Sequence, residues 1–105
     1  MTDHKFEMRK EILRQIGAGT ILGISGGRVQ PIHDGIELPV GSGYSVRVEY
    51  NEGADDYTVS RMFRRGGKEW IKGQVEHVYC DEVSSMAYRA GMFRSWNEHE
   101  WPTAS

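Results

Sequence analysis

The spacing Gly23-Ile24-Ser25-Gly26-Gly27 matches G-x-S-x-G, and His33 and Asp34 follow it. A serine nucleophile of that kind sits between a strand and a helix, with its base oriented by a carboxylate. Here Ser25 is followed by Arg28-Val29-Gln30-Pro31, which does not read as a helix, so the glycines are taken as a turn. A small hydrolase using Ser25 with His33 is the reading that a Ser25→Ala variant retaining activity would exclude. Gly17-x-Gly19 followed by Gly23 lies after a helix and before an apolar run, the reverse of a dinucleotide loop. His4, His33, His77 and His99 are scattered, and Cys80 lacks a C-x-x-C partner. A tetrahedral metal site needs several converging ligands, so no metal and no cofactor is expected. Asp55-Asp56 is read as shaping the turn before Tyr57.

The segment Arg61-Met-Phe-Arg-Arg-Gly-Gly-Lys-Glu-Trp-Ile-Lys72 points instead to recognition. Arg61, Arg64, Arg65, Lys68 and Lys72 against Glu69 give it a charge of +4, which leaves −6 elsewhere in a chain of net charge −2. Cations on a two-stranded ribbon follow acidic surfaces or phosphates, and Trp70 or Phe63 could stack on a base. A nucleic-acid binder is usually basic overall, whereas this chain has a pI near 6.1. The same charges also guard an exposed sheet edge. Near the C-terminus, Phe93, Trp96 and Trp101 stand among charges, and Trp and Arg are the side chains that most often anchor interfaces. Arg61, Arg64, Arg65, Lys68, Trp70 and Trp96 are therefore the expected contact residues.

The elements that must position these residues follow from periodicity. Residues 3–16 read as a helix with Met8, Ile12 and Ile16 in one row, Phe6 and Leu13 beside it, and Gly17 and Gly19 at its end. From Thr20 the pattern reads as short strands: Thr20–Ile24, then Arg28–Ile32 with Pro31 at an edge, then Ile36–Val40. Tyr44–Tyr50 alternates clearly, with Tyr44, Val46, Val48 and Tyr50 on one face. Tyr57–Arg64 and Glu69–Val78 form a hairpin about Gly66-Gly67. A last helix begins at Asp81, with Val83, Met86, Ala87 and Ala90 as its apolar stripe. The expected fold is α+β: an antiparallel meander of about four to six short strands with an N-terminal and a C-terminal helix, in a two-layer sandwich. Residues 1–96 form the expected single domain, and 97–105 a flexible tail.

At 105 residues the chain has room for one modest core. A composition 38% hydrophobic and 27% charged is that of an ordinary soluble domain. The single cysteine excludes an intramolecular disulfide, and no apolar run is long enough for a membrane span. With a charged N-terminus and no apolar signal core, the expected setting is the cytoplasm, without a membrane partner.

Ile12-Leu13-Arg14-Gln15-Ile16-Gly17, Asp56-Tyr57-Thr58-Val59, Val78-Tyr79-Cys80-Asp81 and Gly91 together give most of the chain a resemblance to small proteins of bacteriophages and mobile genetic elements. The turn Ser25-Gly26-Gly27 and the Trp-rich tail depart from that pattern. The resemblance implies an α+β domain from a phage-like genome, working in a host cell, and implies no activity. The expected function is non-enzymatic binding of a protein, from the host or a second copy, with nucleic-acid binding through 61–72 as the alternative.

Overall fold

The computed structural model describes residues 4–92. Its elements run α1 (His4–Ile16), α2 (Ala18–Ser25), β1 (Gln30–Ile32), β2 (Gly35–Gly41), β3 (Tyr44–Asn51), β4 (Asp56–Arg65), β5 (Lys68–Val78) and α3 (Val83–Met92). The strands form one antiparallel meander in the order β1-β2-β3-β4-β5. The three helices lie over one face of it, which makes the expected two-layer α+β sandwich. Trp96, the aromatic pair Phe93 and Trp101, and the tail expected at 97–105 lie outside the described residues.

Register decides which face each side chain takes. Leu38 pairs with Val46, Ile36 with Val48, Val48 with Val59, and Val59 with Val75. All of these are buried, and they meet Ile12, Ile16, Ile21, Ile24, Val83, Met86, Ala87 and Ala90 from the helices. Burying apolar area on this scale is what holds so small a domain together. Met8 and Leu13 flank the core, whereas Phe6 is 56% exposed.

The strand expected at Thr20–Ile24 is instead the core of α2. A short apolar run does not distinguish a strand from a buried helix turn. Packing decides it here: Ile21 and Ile24, three residues apart, both point to the core, while Leu22 stays 64% exposed. The Thr20 hydroxyl lies 2.9 Å from that of Ser84 on α3, and the Gly26 N–H donates to the Leu22 carbonyl at 2.9 Å to end the helix.

β1 is a three-residue edge strand containing Pro31, as expected for a proline in a sheet. At the other edge β5 is the longest strand. Its register slips twice against β4, once between Tyr57 and Val59 and once between Arg61 and Met62. Such bulges twist an edge strand and re-aim its side chains. His77 sits in the first with φ 58°.

Candidate functional site

Strands β4 and β5 stay paired to Arg65 and Lys68, and Gly66-Gly67 joins them in two residues with φ of 59° and 78°. Positive φ at both central positions is the hairpin turn whose twist matches the strands, and glycine takes it without strain. The turn expected from sequence is therefore present, and it carries the basic segment to the end of the sheet.

The five cations of that segment separate into two groups. Arg61 is 4% exposed and points into the helix layer. Its Nη1 donates to the Ala90 carbonyl in the last turn of α3, and its Cζ lies 4.4 Å from the centre of the Tyr44 ring. The final carbonyls of a helix have no partner within it and attract a cation. Arg61 thus closes α3, at the cost of a guanidinium pulled below its usual range by burial.

Arg64 lies on the opposite face of the sheet. Its Nη1 and Nη2 donate to Glu37 at 2.5 and 2.9 Å, and its Nε donates to Glu69 at 2.6 Å. Arg47 completes the group, donating to Glu37 at 2.9 Å and to Glu69 at 3.0 Å. Two arginines and two glutamates, one from each of β2 to β5, form a ring with no net charge. Glu37, only 2% exposed, is its buried centre. The hydrogen bond to Glu37 holds the Arg64 guanidinium above its usual range, and the bond from Arg64 holds Glu69 below the usual carboxylate range. Burial pulls Arg47 down, but its bonds to Glu37 and Glu69 outweigh that and raise it.

Arg65, Lys68 and Lys72 remain on the outside, with no carboxylate partner among the described residues. Between them runs an aromatic ladder across three strands. Tyr44 and Phe63 are 4.7 Å apart, and Phe63 and Trp70 are stacked at 5.8 Å. Trp70 ends the ladder and is 43% exposed; Ile71 is 59% exposed and opposite Met62. Lys72 Nζ lies 5.8 Å over the Phe63 ring. The tip is thus an apolar wedge with three cations around it.

The other groups with chemical spacing are engaged locally. The Ser25 hydroxyl is buried 2.6 Å from the Arg28 carbonyl and 3.2 Å from that of Ile21, so it fastens the end of α2. His33 is on the surface with Asp34 at 2.8 Å, and Lys5 donates to its carbonyl. Asp55 accepts from the Tyr50 hydroxyl at 2.6 Å. Asp56 accepts from Asn51 and from His77, each at 2.8 Å. Among the described residues no group of three or more His, Cys, Asp or Glu converges as a metal site.

Sequence reasoning missed Glu37 and Arg47. Their outward parity was visible, but only the register Glu37–Arg47 and the reach of Arg64 over β3 reveal a ring.

Comparison of the chain with family models, with curated proteins and with solved structures finds no match.

Proposed function

We propose that this is a small non-enzymatic accessory protein of the bacteriophage type, working in the host cytoplasm, and that it binds an acidic protein surface through the β4–β5 tip. The observation that carries this reading is the tip itself. Trp70 and Ile71 are exposed on opposite faces of β5, beside Arg65, Lys68 and Lys72. An exposed aromatic ringed by cations that have no carboxylate partner among the described residues suits a partner with an apolar centre and an acidic rim. The phage setting is supported by the motif resemblance at Asp56–Val59 and Val78–Asp81. Among the described residues no helix is long and apolar enough to cross a membrane. The contact set narrows to Arg65, Lys68, Lys72, Trp70 and Ile71, since Arg61 and Arg64 are engaged within the fold; Trp96 is a further proposed contact.

The test is a comparison of the native chain with a Trp70→Ala/Ile71→Ser variant that keeps its circular dichroism and Tm. Light scattering after size exclusion, at low and high salt and with mixed-sequence DNA, comes first. A host protein bound by the native chain and lost by the variant supports the reading. A shift with DNA that falls steeply with salt replaces it with the nucleic-acid alternative. A salt-insensitive dimer abolished by the variant makes a second copy the partner.

A further inference from the structure

At the far end of β4 from the tip lies a cleft of about 610 Å³ between α1, the turn after β3 and the end of β5. Tyr57 is the second residue of β4 and Arg65 its last, so the cleft is about 26 Å along the strand from the hairpin turn. Its volume is that of a small-molecule site. Glu7, Glu11 and Asp55 line it together with Tyr50, Tyr57 and Tyr79, and no Lys or Arg does.

Each group has a role that the geometry defines. The Tyr50 and Tyr57 rings are 5.5 Å apart and inclined at 49°, so they form two walls that converge rather than a flat stack. Tyr79 stands 50% exposed at the mouth. Tyr57 is only 6% exposed, yet its hydroxyl has no hydrogen-bond partner among the described residues. That oxygen is not sealed in the core, so a polar group of a ligand in the cleft can reach it. Asp55 is oriented by Tyr50, whose phenol it pushes up to about 12. Glu11 already accepts from Arg14 at 2.5 Å and from Gln15 at 2.7 Å, which leaves Glu7 and Asp55 as the lining carboxylates without a cation partner among the described residues.

We propose that this cleft binds an organic ammonium carrying several N-methyl groups, seated against the Tyr50, Tyr57 and Tyr79 rings with its charge balanced by Glu7 and Asp55. Ring faces attract a weakly hydrated cation and give little to a small, strongly hydrated one. The carboxylates are spread around the rim instead of converging on a point, which suits a diffuse charge. A hydroxyl or carbonyl on the same ligand could hydrogen-bond to the Tyr57 hydroxyl. The site is separate from the tip and does not depend on the reading of it.

The only cysteine of the chain, Cys80, is exposed and lines the same cleft, so the native protein reports on its occupancy. The experiment follows the rate of Cys80 modification by a trimethylammonium-ethyl thiosulfonate and by a sulfonatoethyl thiosulfonate, each scaled to its rate with a free thiol. The expected result is preference for the cationic reagent. Choline or tetramethylammonium should slow the reaction, and 3,3-dimethyl-1-butanol, the uncharged isostere of choline, should not. Glu7→Gln and Tyr79→Ala, both at exposed positions, should each weaken choline protection by about tenfold. Equal protection by the uncharged isostere would mean an apolar groove and overturn the proposal. So would an absence of protection, together with unchanged NMR signals of Tyr57 and Tyr79, at saturating tetramethylammonium.

Discussion

Arg61 and Arg64 are near neighbours on β4, yet they do opposite work. Parity sends Arg61 among the helices and Arg64 to the open face. Arg61 is a buried cation offset by one carbonyl and one ring, without a carboxylate among the described residues. An apolar side chain of similar length removes that desolvation cost. Arg61→Met is expected to unfold within about 1 kcal/mol of the native chain or to be more stable, whereas Arg61→Ala, which also leaves a void, should cost about 2–4 kcal/mol. Chemical denaturation of the two variants measures both. Glu37→Ala should cost about 3 kcal/mol, because it leaves Arg47 and Arg64 facing each other without their shared anion. Asp56 and His77 give the pH dependence. The hydrogen bond to Asp56 raises His77 above its ordinary 6.5, and bonds from Asn51 and then His77 lower Asp56 below its ordinary 3.8. A raised histidine contributes fully below 6.5 and loses its contribution as pH rises through the folded value; a lowered aspartate contributes fully above 3.8 and loses its contribution as pH falls through the folded value. The pair therefore acts most strongly between those two values. Asn tolerates the positive φ at position 77, so His77→Asn is expected to lower Tm at about pH 5.5 and to lose that difference by about pH 9. A constant Tm difference across the range would refute the pairing.

At the scale of elements, the strands were legible because alternation and turn chemistry agree. Tyr44–Asn51 alternates, Gly66-Gly67 fits one turn type, and Pro31 falls on an edge. Helix α2 was not legible, because Thr20–Ile24 carries no period that excludes a strand and its partners lie on α3, far along the chain. The same reason hid the ring around Glu37 and the fate of Arg61: a list of charges does not contain the register that spends them. Register also makes one glycine indispensable. Gly35 starts β2 opposite Glu49, and a Cβ there would lie 1.9 Å from the Val48 carbonyl oxygen. That obstacle is backbone and cannot rotate away, and the Gly35 carbonyl also receives Arg9 Nε at 3.2 Å. Gly35→Ala should lower stability by about 1–3 kcal/mol, as overpacking does. In Gly53→Ala the new methyl meets nothing within 4 Å, so a comparable loss there would show that the effect at position 35 is not steric.

Across the whole molecule, charge is distributed along the sheet. Arg65, Lys68 and Lys72 put +3 at the hairpin tip of a chain whose net charge is −2, so the remainder carries −5. Glu7 and Asp55 lie with the tyrosine cleft at the other end of β4. The long axis of the described body is 41 Å, several times the screening length of about 8 Å at physiological salt, so a partner meets one end without feeling the other. Rim charges then govern how fast an acidic partner arrives, and the apolar centre governs how long it stays. Reversing Arg65, Lys68 and Lys72 to Glu should slow association by about tenfold or more at low salt and remove its salt dependence, with the dissociation rate changed far less. Trp70→Ala should do the reverse, raising the dissociation rate and leaving the salt slope of association intact, since the three cations stay in place. Surface plasmon resonance across a salt series separates the two rates. A Trp70→Ala variant that dissociates as slowly as the native chain would leave the wedge without a role, and contact would then rest on the cations alone.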